Sequence, residues 1–84
     1  MARARVLRFE TYDVQPGEVT LRLNWHPVRI LPATAHGAWS GELTAVLPAR
    51  WANPRGPNVI SFTATGRAPS WSTWGVRTLA LVDR

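Results

Sequence analysis

Side chains capable of acid–base, nucleophilic or metal chemistry are few in this sequence and far apart. Its five carboxylates are Glu10, Asp13, Glu18, Glu42 and Asp83. We expect each to face solvent or a turn, whereas cleavage of a glycosidic bond needs two carboxylates at a defined separation. His26 and His36 have no metal-ligand spacing, there is no cysteine, and no serine stands in a Gly-x-Ser-x-Gly turn. The sequence therefore predicts a protein that is not an enzyme and that uses no cofactor or metal.

Tryptophan and arginine offer binding chemistry instead. Exposed indole rings stack on sugars or nucleobases, and guanidinium groups pair with carboxylates or phosphates. We predict one contact surface in the loop 49–57 and a second around the loop 66–73: Arg50, Trp51 and Arg55 on the first, and Arg67, Trp71 and Trp74 on the second. Because the two loops leave the intervening segment at opposite ends, the surfaces should be separate.

Packing is the alternative role for the same tryptophans. In a small β domain without disulfides, indole rings commonly close the open ends of the fold. We expect Trp25, Trp39 and Trp74 to pack in this way, and the sequence leaves open whether Trp51 and Trp71 do so too.

All ten basic residues are arginine, and with five acidic residues they give a formal net charge of +5. Such a charge suits nucleic acid, an anionic polymer or an acidic protein surface, although codon usage in a GC-rich genome would also produce it. The arginines cluster only at the N-terminus. There we predict an extended basic arm over residues 1–5, in which Arg3 and Arg5 contact a neighbouring subunit or an acidic surface.

The elements that must position these residues are strands. Eighty-four residues are enough for one domain. Alternating apolar and polar residues, bounded by Pro and Gly turns, predict strands at 6–12, 18–25, 28–31, 39–47, 58–65 and 75–83. No stretch carries a helical apolar stripe free of Pro and Gly. The expected fold is a single all-β domain, a small antiparallel β-sandwich of the trimmed jelly-roll kind, with little or no helix.

The predicted core follows the apolar face of each strand. For the last strand we choose the face of Val76, because the other face would bury Arg77 and Asp83. Replacing Phe62 with alanine is expected to cost about 3–5 kcal/mol. The core residues expected are Leu7, Phe9, Val19, Leu21, Leu23, Leu43, Ala45, Ile60, Phe62, Val76, Ala80 and Val82.

Two segments carry a resemblance to a known family. Asn58-Val59-Ile60-Ser61-Phe62 follows a Gly/Pro turn, and Trp74-Gly75-Val76-Arg77 introduces the last strand. With the order of segments from Leu23 to Val82, about two thirds of the chain, this resembles the galactose-binding-like jelly-roll of many carbohydrate-binding modules. The matching positions Asn58, Trp74 and Gly75 are scaffold positions, so the resemblance implies a β-sandwich and transfers no sugar-binding residue.

Size, charge and expected location together suggest a function. No apolar run is long enough to span a membrane or to serve as a secretory signal, so we expect synthesis in a host cytoplasm without membrane association. A small β-sandwich of this kind is typical of phage virions. We therefore expect a non-catalytic structural or accessory protein, a head decoration or tail-associated module that contacts other virion subunits or itself and has some affinity for glycan. The alternatives are a free-standing carbohydrate-binding lectin and a small nucleic-acid-binding β-barrel.

Overall fold

Two three-stranded antiparallel sheets form the framework of the molecule. The computed structural model describes residues 3–64 and 73–83. Its strands are β1 (Arg5–Tyr12), β2 (Val19–Leu23), β3 (His26–Ile30), β4 (Leu43–Leu47), β5 (Ile60–Ala64) and β6 (Gly75–Asp83). Sheet A has the strand order β4-β1-β6 and sheet B the order β3-β2-β5. The prediction of an all-β antiparallel sandwich with little helix is confirmed.

Helical structure in the described part of the chain is one short 3-10 turn, Ala49–Trp51. No helix of residues 3–64 and 73–83 is long and apolar enough to cross a membrane.

The core lies between the central strands of the two sheets. Strict alternation on β1 and β2 turns every second side chain inward, and the Phe9 ring of sheet A meets the Phe62 ring of sheet B at 5.7 Å between centroids. Six residues of the predicted core are buried: Leu7, Phe9, Val19, Leu21, Leu23 and Ala45. Four others are partly buried against it: Leu43, Ile60, Phe62 and Val76.

Three core residues lie outside the predicted set. Leu47, the last residue of β4, is fully buried, and so are Val14 and Leu31, which flank the strands rather than lie in them. The backbone N–H of Leu31 donates to the carbonyl of Val19 at 2.9 Å, which continues the pairing of β3 with β2 by one residue.

In the last strand, β6, the predicted choice of core residues is partly wrong. Arg8 of β1 pairs with Ala80 of β6, yet Glu10 pairs with Arg77, so β6 carries one residue more than β1 over this interval. Such a bulge exchanges the two faces of a strand. A strictly alternating pattern therefore holds only on one side of the bulge.

Ala80 and Val82 are consequently not core residues. Ala80 lies opposite Arg8 on the outer face and is exposed, and Val82 is only half-buried. The inward positions beyond the bulge are those of Leu79 and Leu81, with Leu81 opposite the buried Leu7. Both remain accessible, at 58% and 40%, because β6 is an edge strand that sheet B does not cover.

The connection between β2 and β3 is shorter than expected. β2 ends at Leu23, and only Asn24 and Trp25 separate it from β3. Pro27 does not break the strand but lies within β3. Proline is tolerated there because β3 is an edge strand, with one side that pairs with no other strand of its sheet. Trp25 is therefore a turn residue and not the last residue of a strand.

The predicted N-terminal arm overlaps sheet A. β1 begins at Arg5, which pairs with Leu47 on one side and Asp83 on the other. Arg3 precedes the strand and is exposed. Of the described part of the arm, Arg5 is thus a sheet residue, while Arg3 keeps an accessible position.

Asp13 organises the loops that follow β1. Its side chain is almost fully buried, contrary to the expected solvent-facing position, and its backbone has a left-handed φ of 52°. Its Oδ1 atom accepts the backbone N–H of Gly37 at 3.1 Å and contacts Nδ1 of His36 at 2.9 Å. The bond from Gly37 is the largest cause that lowers the pKa of the Asp13 carboxyl. Desolvation of the carboxyl raises its pKa and so opposes this effect, whereas His36 lowers the pKa further.

Glu18, another carboxylate expected at the surface, is also buried, and it accepts the backbone N–H of Gln15 at 2.9 Å.

An acid-dependent loss of stability follows from Asp13. A carboxyl whose pKa is lower in the folded protein contributes stability above its unfolded pKa of about 3.8, and this contribution is lost as the pH falls through the folded value. Asn is the matched substitution, because it keeps the oxygen acceptor and tolerates φ 52°. We expect Asp13→Asn to be less stable at pH 7 and to lose less stability between pH 5 and pH 3, measured by urea unfolding. Identical pH slopes for the two proteins would contradict this role.

Candidate functional site

One end of the sandwich carries an open groove of about 590 Å³ between the β2–β3 turn and the loop after β4. Aromatic and amide side chains dominate it. Its lining residues are Asn24, Trp25, His26, Arg50, Trp51, Ala52, Asn53, Pro57 and Val59. We call this region the groove end; it includes two of the three residues predicted for the first contact surface, Arg50 and Trp51.

The turn between β2 and β3 projects Trp25 into solvent. Leu23 and His26 form the closing pair of the hairpin, and Asn24 and Trp25 between them have φ angles of 48° and 70°. Positive φ at both central residues is the geometry that suits a two-residue hairpin, and Asn or Gly normally provides it. The bulky Trp25 adopts it at a cost in backbone strain and is still 73% exposed. The prediction that Trp25 packs is therefore wrong.

Asn24 ties this turn to the rest of the groove. Its Nδ2 atom donates to the carbonyl of Trp51 and to Oδ1 of Asn58, both at 2.9 Å. Its Oδ1 atom accepts the backbone N–H of Val59 at 2.8 Å. Asn58 in turn accepts the N–H of Asn53 at 2.7 Å, so two asparagines fix the loop that faces the turn.

Trp51 forms the floor of the groove. Its ring is stacked on His26, with 5.2 Å between centroids and 9° between planes, and the guanidinium carbon of Arg50 lies 4.5 Å from its centroid. It is half-buried and packs against the core. The sequence left open whether Trp51 packs or forms a contact surface. In the structure it does both, since it closes the end of the fold and also lines the groove.

Arginines near the groove differ from two arginines of sheet A, Arg8 and Arg77, in their partners. Arg8 is paired with Glu42 at 2.6 Å and Arg77 with Glu10 at 3.4 Å. Among the side chains that the structure describes, no carboxylate pairs with Arg22, Arg50 or Arg55. Arg22 is held beside the turn because its Nη1 atom donates to the carbonyl of Trp25 at 3.2 Å. Arg55 is exposed in the loop after Asn53.

The predicted second surface is described only in part. Arg67 and Trp71 lie outside the described residues, and Trp74 is half-buried against the core, as expected of a packing residue. At this opposite end of the molecule, Trp39 is 39% exposed. Its ring is tilted by 50° against that of Tyr12, with 5.2 Å between centroids, and its centroid lies 3.7 Å from the guanidinium carbon of Arg77. Trp39 thus packs on the surface of sheet A and not in the core.

Sequence reasoning missed Trp25, Asn24 and His26 as groove residues. The sequence held one signal for them: Asn24 is a residue type that accepts the positive φ of a two-residue hairpin turn, in which the side chains project outward. Within residues 3–64 and 73–83 no cluster of His, Cys, Asp and Glu could hold a metal ion.

Comparisons with protein-family models, with curated proteins and with solved structures gave no match to this chain. The resemblance to the galactose-binding-like jelly-roll therefore stays a prediction. The groove must be interpreted from its own chemistry.

Proposed function

We propose that this protein is a non-catalytic accessory module of a phage virion that attaches to another subunit through its groove end. The observation that carries the docking part of the proposal is Trp25, a large apolar side chain held in solvent on a strained two-residue turn. Strain and exposure both oppose folding stability, so the residue is better explained by an intermolecular contact. The particle setting rests on the size and fold class of the chain.

The surroundings of Trp25 favour a protein partner. Interface hot spots are enriched in tryptophan and arginine, and here Arg22 and Arg50 flank the groove. Trp51 does not offer a free platform, since His26 and Arg50 already cover its ring. A single-stranded nucleic acid, which needs successive stacking surfaces, would find one accessible indole in the described groove.

Two substitutions at Trp25 test the proposal. Trp25→Ala should reduce incorporation into purified particles by about 30-fold, the effect of losing a hot spot worth about 2 kcal/mol, without a large change in thermal unfolding. Trp25→Gly should abolish docking equally while raising the free energy of unfolding by about 0.5–1 kcal/mol, because glycine accepts a φ of 70° without strain. Ile30→Ala, at an exposed apolar position outside the groove lining, is the matched control.

Glycan binding is the second candidate, because the exposed face of Trp25 is also suited to the apolar face of a sugar ring. The same variants separate the two functions. Normal incorporation of Trp25→Ala into particles, together with loss of binding on a glycan array, would replace the virion proposal with the lectin.

A further inference from the structure

We infer that the surface recognised by the groove end is an acidic protein surface, one that presents carboxylates beside an apolar or aromatic side chain. The inference rests on the proposed function, because it specifies the chemistry of the partner at the same site. It is carried by the distribution of charge along the sandwich.

The carboxylates lie mainly at the end away from the groove. β1 runs from Arg5, which pairs with the last residue of β4 close to the groove, to Tyr12 at the far end. Glu10 lies toward that far end. Three more carboxylates, Asp13, Glu18 and Glu42, lie in the loops there, before β2 or before β4. Only the backbone position of Asp83, opposite Arg5, is at the groove end.

The arginines around the groove are left without such partners. Arg22, Arg50 and Arg55 form no ion pair with any carboxylate whose side chain the structure describes, whereas Arg8 pairs with Glu42 and Arg77 with Glu10 on sheet A. The Arg50 guanidinium in the groove, with Arg22 bonded to the carbonyl of Trp25 and Arg55 in the facing loop, creates a positive potential that attracts anions and repels a basic partner. Among the side chains that the structure describes, none supplies the groove end with a complementary negative charge, and a partner can supply it.

Carboxylates fit this arrangement better than phosphates on a nucleic acid. Guanidinium groups bind both anions in a bidentate manner, so the arginines alone do not distinguish them. The aromatic rings distinguish the two anions. The ring of Trp51 is already covered by His26 and Arg50, so Trp25 is the one indole that protrudes from the described groove. One protruding indole, with Arg22 at its backbone and Arg50 across the groove, matches a protein surface with one apolar recess and acidic residues around it.

Synthetic polymers of defined charge test whether the groove end recognises carboxylates, without the use of virus particles. We expect the full chain to bind a random copolymer of glutamate and tyrosine, measured by fluorescence anisotropy at 50 mM salt, and to bind a 20-nucleotide oligo-dT more weakly. The double substitution Arg50→Gln, Arg55→Gln should weaken binding of the copolymer at least tenfold. The effect should shrink at 300 mM salt, because exposed charges are screened there.

A control with the same net charge separates a local from a global effect. Ala33→Glu with Ala35→Glu lowers the charge by the same amount in an exposed loop far from the groove, and it should leave binding within twofold of the original protein. Equal weakening by both double variants would overturn the inference, as would tighter, arginine-dependent binding of oligo-dT.

The particle assay distinguishes this inference from the proposed function. If Trp25→Ala fails to enter particles while the Arg50→Gln, Arg55→Gln variant enters normally, docking at the groove end stands and the acidic partner is wrong. If Trp25→Ala enters particles normally while the arginine variant loses the copolymer, the acidic recognition stands and the virion function is wrong.

Discussion

Replacement of Phe9 with alanine is expected to lower the free energy of unfolding by about 3–5 kcal/mol. Phe9 is 1% exposed and its ring is tilted by 60° against Phe62, so it is the aromatic contact that joins sheet A to sheet B through the middle of the core. A domain of this size has a total stability of about 4–12 kcal/mol. Losing the ring would therefore remove a large part of it, which urea unfolding followed by circular dichroism would measure.

Two further substitutions serve as comparisons for the loss of stability in Phe9→Ala. Phe62→Ala should cost less than Phe9→Ala, because Phe62 is only half-buried, and the loss of about 3–5 kcal/mol expected from the sequence is reassigned to Phe9. Val46→Ala, at an accessible position on the outer face of sheet A, should change stability by less than about 0.5 kcal/mol. A larger loss for Phe62→Ala than for Phe9→Ala would contradict this account of the core.

Substitution of Asn24 with alanine should cost about 2–4 kcal/mol and should also disable the groove. Its side chain makes three hydrogen bonds, each worth about 1 kcal/mol, and its φ of 48° costs alanine about 1 kcal/mol more. Because these bonds hold the loop after β4 against the β2–β3 turn, the orientation of Trp25 relative to Trp51 should be lost with them.

Glycine and aspartate at position 24 separate the two contributions. Asn24→Gly removes the hydrogen bonds but accepts the left-handed backbone, so it should be about 1 kcal/mol more stable than Asn24→Ala. Asn24→Asp keeps the acceptor for the N–H of Val59 and loses both donated bonds. Equal stability of the glycine and alanine variants would show that backbone strain has no part, and normal incorporation of Asn24→Ala into particles would show that the groove does not depend on this residue.

The fold could be predicted where strands alternate regularly. β1 and β2 have one apolar and one polar face, so Leu7, Phe9, Leu21 and Leu23 were assigned correctly from spacing alone. In β6 the bulge shifts the alternation by one residue. No local feature of the sequence marks it, because the bulge arises from pairing with β1, which is distant in sequence.

The groove residues could be predicted only in part, again because some features depend on residues distant in the sequence. Arg50 and Trp51 could be found because a loop rich in proline indicates an exposed segment. Trp25 was missed because an apolar residue that continues the alternation of β2 is expected to lie in the core, and its exposure depends on the turn that Asn24 initiates. The burial of Asp13 likewise depends on donors from the distant residues His36 and Gly37.

The position of β1 in the centre of sheet A has a consequence for the order in which the protein folds. Both neighbours of β1 come from far along the chain, since Leu7 pairs with Ala45 and with Leu81, so sheet A forms only after long loops have closed. The β2–β3 hairpin closes over two residues and can form within about 1–10 μs. The turn that carries Trp25 thus belongs to the earliest structure available to the chain, whereas both edges of β1 stay without their strand partners until the two distant strands have arrived.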